Sequence, residues 1–189
     1  MLVTLSGLPG SGTSTVARLV AAELGLDHLD GGTAFRTVAA EQGMSLAAYA
    51  ALAEHDENID RALDKRLTER ARQDDVLLES RLSGWLATRA GLDALTVWIA
   101  CDEVERARRV AAREAQDPSG ALRHNQEREK SERARYLGYY DIDLTDLSIY
   151  DLVLDSTNAA AYELVAVVVA EAQARAGPPG PTGRSVSSS

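Results

Sequence analysis

A single cysteine, Cys101, leaves no internal disulfide framework and excludes the small cross-linked secreted folds. No apolar run reaches the ~18 residues of a membrane-spanning helix. The first apolar stretch runs into a glycine-rich turn rather than a leader cleavage site. Together these absences give the expectation of a cytoplasmic protein with no membrane partner. Basic charge is also short: Lys and Arg total 20 against 29 Asp and Glu, a formal net charge of -9. That balance excludes the broad basic field of a general nucleic-acid binder. His28, His55 and His124 are scattered without the spacing of a metal-ligand set. Only 5% of residues are aromatic, and alanine is abundant, so helices are expected to dominate. Lysine is nearly missing: Lys65 and Lys130 are the only two, against 18 arginines. Arginine's planar fork suits phosphate, so where these residues fall matters.

The 189 residues amount to one domain with a sizeable core. Leu2 to Ser6 is a short apolar run with β-branched Val3 and Thr4, which predicts a buried strand. A glycine-rich turn follows, and then Val16, Leu19, Val20 and Leu24 recur at helical spacing up to the stop signal Gly25. Leu26 to Leu29 is a weaker strand candidate. Residues 31–72 are predicted helical, with breaks near Gly43 to Ser45 and near Asp56. Asp75 to Glu79, Leu95 to Ala100 and Leu152 to Leu154 are further strand candidates, each leading into a helical stretch, and Asp74-Asp75 reads as a turn. Strands alternating with helices imply βαβ units and a doubly wound parallel sheet. Arg106, Arg109 and Arg113 share one helix face, and Glu105 is placed to pair with Arg109. Arg106 and Arg108 are expected at the surface. Asp117 to Gly120 is expected to break the helix before a second one carrying Arg128 and Arg135. From Gly177 the Gly, Pro, Ser and Thr content predicts a disordered tail over 177–189.

The turn after the first strand carries the chemistry. A P-loop reads G-x-x-x-x-G-K-[ST]; residues 7–14 here read GLPGSGTS. The segment Gly7, Leu8, Pro9, Gly10, Ser11, Gly12, Thr13, Ser14 and Thr15 places glycines where backbone N–H groups converge on a phosphate, ahead of a helix N-terminus. Ser14 occupies the position whose hydroxyl ligates Mg²⁺, and Glu79 at the end of its strand is placed to join that ion through water. Thr13 holds the position of the lysine, so compensating charge is expected from arginine.

With that loop, the isolated Arg36, and VLLESRLSGW in view, the chain resembles the archaeal-type branch of the cytidylate kinases. The matching segments are LSGLPGSGTSTVARLVAAELG, TAFRTVAAEQGMSL, NIDRALDKR, VLLESRLSGW, ERARRVAARE and REKSERARYLGYYDIDLTDLSIYDLVLDST. They run in family order to about residue 172. The resemblance implies an α/β P-loop NTPase three-layer sandwich, with a short parallel sheet flanked by helices. It also implies a helical monophosphate-binding insertion at about 31–73 and a small lid at about 114–127. It implies transfer of the γ-phosphate of ATP to CMP or dCMP with Mg²⁺, by a monomer acting on small nucleotides. In that pattern Arg36 and Arg81 hold the acceptor phosphate. Arg109, Arg113, Arg128 and Arg135 stand near the transferred group, Thr157 and Asn158 lie by the adenine, and Asp141 and Asp143 orient lid arginines. Two alternatives stay open on the residues alone: a P-loop kinase for another nucleotide or small metabolite, and an ATP-binding protein without catalysis, given Thr13.

Overall fold

A computed structural model describes residues 1–73, 75–115 and 117–177. Asp74 of the expected turn, Gln116 of the expected lid and the tail beyond residue 177 lie outside the described residues. The chain opens on β1 (Leu2–Gly7), α1 (Thr13–Leu24) and β2 (Asp27–Asp30). Three helices follow, α2 (Gly31–Glu41), α3 (Leu46–Ala53) and α4 (Glu57–Ala71), with breaks where Gly43-Met44-Ser45 and Asp56 interrupt the helical pattern. Ser45 and Asp56 restart the chain as N-caps, accepting from Ala48 N and Asn58 N. Then come β3 (Val76–Glu79), α5 (Ser83–Arg89), β4 (Leu95–Ala100), α6 (Glu103–Glu114), α7 (Pro118–Tyr140), β5 (Leu152–Asp155) and α8 (Ala161–Ala176).

The five strands form a parallel sheet in the order β2-β3-β1-β4-β5. β1 is buried along its whole length, which explains its unbroken apolar run. On one face Val3, Leu5, Val97 and Ile99 pack with Val16 and Val20 of α1 and Leu164 and Val168 of α8. On the other, Leu2, Val76 and Leu78 pack with Leu67 and Ala71 of α4 and Ala87 of α5. The result is three layers, helix–sheet–helix. The chain leaves β1 toward β2 and leaves β3 toward β4, so connections diverge between β1 and β3. Open α/β sheets bind ligands at the carboxyl ends of strands beside such a switch point.

The expected break at Asp117 to Gly120 is shorter in the fold. Asp117 caps α7, accepting from Gly120 N at 2.8 Å, and Pro118 sits in the first turn, where its missing N–H costs nothing. Of the segment expected as a lid, Ala115 takes a left-handed φ of 52° and residues from Pro118 on form the opening turns of α7, with Ala121 packed on Val110 and Ala111 of α6. No helix among the described residues is long and apolar enough to cross a membrane.

Candidate active site

Gly7 closes β1 at the switch point, and the loop that follows is held by its own backbone. Ser11 N donates to Leu8 O, and the N–H groups of Thr15 and Val16 both donate to Gly12 O. Gly10 and Gly12 adopt φ of 84° and 88°, in the left-handed region that residues with a Cβ avoid. A Cβ on Gly10 would lie 2.5 Å from the carbonyl oxygen of Arg106, so the loop rests directly on α6. Helices α2, α3, α4, α6 and α7 all carry side-chain N-caps, whereas α1 begins at Gly12 with none. Its first N–H groups are left for an anion, aided by the helix dipole. Thr13 is 8% exposed, and its Cγ2 lies 2.7 Å from where a Cβ on Gly7 would sit, so it packs against Gly7.

Beside the loop, Ser14 Oγ donates to Glu79 Oε1 at 2.5 Å, and His28 Nε2 meets Glu79 Oε2 at 2.8 Å. The hydrogen bond with Glu79 raises His28 above its ordinary value, against an opposing effect of burial. Scattered in sequence, His28 belongs to this cluster because β2 and β3 pair in register, placing Asp30 opposite Glu79. Among the described residues no group of three or more His, Cys, Asp or Glu is placed to hold a metal. Ser14 and Glu79 are oxygen donors, however, of the kind Mg²⁺ takes alongside water and phosphate.

Directly after β3, Arg81 reaches across the switch point. Its Nη1 donates to Gly7 O at 2.7 Å and its Nε to Glu132 Oε2 at 2.9 Å. Glu132 is 5% exposed and also receives Arg128 Nε at 2.8 Å on its other oxygen. Burial acts to raise Glu132, but Arg81 and Arg128 outweigh it and hold the carboxyl below its usual range. Three residues beyond Glu132 on α7, Arg135 is 7% exposed and faces Asp60 of α4, with Nη1 3.5 Å from Oδ2. Burial holds Asp60 above the ordinary carboxylate range, with Arg135 opposing. Arg36 is half-exposed on α2, donating to Thr33 Oγ1 at 2.7 Å, and Arg113 is mostly exposed and paired with Glu114 at 2.6 Å. These arginines line one cavity of about 670 Å³ that runs from the loop to an apolar wall of Phe35, Leu46, Ala50, Leu63 and Leu67.

Arg109, Thr157 and Asn158 do not line that cavity. They gather past Gly12, where Arg109 Nε donates to Glu105 at 2.8 Å and Nη1 to Ser156 Oγ at 3.0 Å; Nη2 donates to Ser156 O at 2.6 Å. The Arg109 guanidinium is also 3.7 Å from where a Cβ on Gly12 would lie. Thr157 Oγ1 accepts from Asp102 N at 2.9 Å and donates to Asp155 at 2.6 Å, and Asn158 is exposed beside it.

Two expectations are corrected. Arg106 is not a surface residue: it is 4% exposed, ion-paired with Glu129, and donates to Pro9 O at 3.3 Å. Sharing a helix face with Arg109 says nothing about what covers that face, and here α7 and the loop cover it. Asp141 and Asp143 do not orient lid arginines among the described residues. Asp141 ends α7 at φ 54° with its carbonyl accepting from Arg89, and Asp143 accepts from Thr145. Sequence reasoning also missed Glu132, Glu129 and Asp60, whose roles depend on packing of distant helices.

Near Asp60, Asp64 Oδ2 accepts from Tyr140 Oη at 2.6 Å. Burial pushes the Asp64 carboxyl up to about 7, against that hydrogen bond. A folded value above the unfolded one means the associated stability is complete below the ordinary carboxylate range. It is lost as pH rises toward about 7, at up to ~1.4 kcal/mol per pH unit. Asp64→Asn is expected to flatten this decline, as urea unfolding at about pH 4 and about pH 8 would register.

Backbone amides for one ligand's phosphates, set across the switch point from a cavity edged with guanidinium groups, make this a phosphoryl-transfer site of the P-loop kinase class. A family model described as the Cytidylate kinase-like family matches residues 2–158, and the chain belongs to that family. It is similar to a cytidylate kinase of Halobacterium salinarum, 46% identical over 157 residues, covering 82% of this chain and 81% of the other. A cytidylate kinase of Methanocaldococcus jannaschii is 43% identical over 158 residues, covering 83% and 89%. Among solved structures, a gluconokinase from Sinorhizobium meliloti has a TM-score of 0.59 at 17% identity and covers 89% of each chain, a likeness of fold.

Proposed function

We propose that this protein transfers the γ-phosphoryl group of ATP to CMP or dCMP. The observation that carries the reading is the Arg81 bridge: one part-buried guanidinium touches the loop carbonyl of Gly7 and lines the acceptor cavity. The cation missing at Thr13 is thereby supplied from β3's end. In this reading the ATP phosphates lie in the loop Gly7 to Thr15, on those backbone N–H groups that make no bond within the loop, with adenine toward Thr157, Asn158 and Arg109. Insertion 31–73 grips the monophosphate, Arg36 and Arg81 hold its phosphate, and segment 114–127 closes with Arg113 and Arg128. Phosphoryl transfer asks for alignment and positive charge around the equatorial oxygens more than for covalent help, so no general base is assigned. Closure also excludes the water that would hydrolyse ATP. Ser14, with Glu79 behind it, would hold Mg²⁺, which neutralises the β- and γ-phosphates when bound. One chain supplies both sites, so the monomer is taken as the active unit, working in the cytoplasm.

Purified protein incubated with ATP, Mg²⁺ and a panel of monophosphates is expected to form ADP with CMP and dCMP. A chelator should stop the reaction and added Mg²⁺ restore it. No ADP with any pyrimidine monophosphate would overturn the reading.

A further inference from the structure

Three polar atoms of the cavity lining have no hydrogen-bond partner among the described residues: Asp60 Oδ2, Arg135 Nε and Arg135 Nη1. Their side chains are more than nine-tenths buried, and both residues line the cavity. The nearest approach between them, 3.5 Å, is an ion pair too long for a hydrogen bond. Buried groups of this kind normally find partners, so an acceptor beside donors points to a ligand that completes both. The carboxylates Glu132 and Asp64 share the lining with apolar Leu63, Leu67 and Phe35, the chain's only phenylalanine, whose ring is braced by Tyr49 at 5.0 Å between centroids. A flat heteroaromatic ring with a donor next to an acceptor on one edge matches this lining.

We propose that Asp60 and Arg135 form the base-reading pair of the acceptor site. A carboxylate oxygen of Asp60 accepts a hydrogen bond from the exocyclic amino group of cytosine, and the Arg135 guanidinium donates to ring N3 and O2. The inference rests on the reading that this cavity holds a pyrimidine monophosphate. It assigns Arg135 to the base, where the resemblance alone put it by the transferred group. Anchored by its phosphate at Arg81, uracil would turn O4 toward the Asp60 carboxylate, lone pairs against lone pairs. Its N3–H would likewise meet the guanidinium, donor against donor. Mismatched polar groups in a dry pocket discriminate strongly because neither can be rehydrated.

The test compares kcat/KM for CMP, UMP and the 4-deamino analogue of CMP at saturating ATP and Mg²⁺. With the wild-type protein, UMP and the analogue are expected to fall roughly 10²-fold or more below CMP. In Asp60→Asn the preference for CMP over the analogue should shrink to within about threefold, while the KM for ATP stays within about twofold. Asp60→Ser serves in the same comparison if the first variant does not fold. Wild-type use of the analogue on a par with CMP would overturn the proposal. So would a folded Asp60 variant that keeps the full preference. Failure of the underlying kinase reading is distinguishable, because wild-type protein would then form no ADP with CMP at all.

Discussion

Arg81→Ala is expected to lower kcat/KM for CMP by roughly 10²–10³-fold, the usual cost of removing one preorganised donor from a charge-stabilising site. Among the described residues Arg81 is the only arginine seen to bond the carbonyl of the strand-end glycine that starts the loop, and it also lines the cavity. Its fork is used twice, at Gly7 O and at Glu132. Arg81→Lys keeps the charge but offers a single point donor, so it should recover only part of the rate. The alanine variant should also lose roughly 2–3 kcal/mol of stability, because buried Glu132 keeps only Arg128 as a charged partner. The sign of the pH effect follows. Glu132 is held below its ordinary value, so its contribution is present above the usual carboxylate range and lost as pH falls through the folded value. Without Arg81 the folded value rises, and acid unfolding should begin at higher pH. Thermal unfolding from about pH 4 to about pH 7, beside steady-state kinetics, checks both effects. Wild-type turnover in a folded Arg81→Ala protein would show that the missing lysine is replaced from elsewhere.

Gly10→Val should weaken ATP binding roughly 10²-fold while leaving the fold in place. Two costs coincide at this residue: φ of 84° disfavours any Cβ by roughly 1–2 kcal/mol, and that Cβ would meet the Arg106 carbonyl oxygen at 2.5 Å. The obstacle is helix backbone, pinned by the buried Arg106–Glu129 pair, so the loop has to move instead. A displacement of about 1 Å in donors aimed at phosphate is enough for a loss of roughly 10²-fold. Gly12→Ala makes the informative contrast. It carries the same backbone strain, but its nearest neighbour is the flexible end of Arg109 at 3.7 Å, so its loss should be smaller. Calorimetric titration with ATP, with circular dichroism to confirm folding, orders the two variants. Equal affinities would mean that the loop does not rest on α6 as described.

Patterns of short range were legible along the chain. The strand and glycine turn of residues 2–15, the helix breaks near 43 and 56, and the alternation of strands and helices each depend on neighbours within a turn or two. The phosphate cradle belongs to the same class, because backbone N–H groups followed by a helix are a local device. Sequence alone also showed that the lysine is absent at Thr13 and that arginine is the available cation. It could not say which arginine. Arg81 reaches Gly7 only because β1 and β3 lie side by side at the switch point, 74 residues apart in sequence. Glu132 holds both Arg81 and Arg128 because α7 lies against that sheet end, and Arg106 is buried for the same reason. Asp60 and Arg135, 75 residues apart, meet only when α4 and α7 close the cavity. Charged partners across such separations leave no periodic trace, since the burial that makes them matter is created by packing itself. So the sequence determined that this chain cradles a phosphate without a lysine. The tertiary structure alone decided which arginine bonds the glycine that opens that cradle and which carboxylate faces Arg135 in the cavity lining.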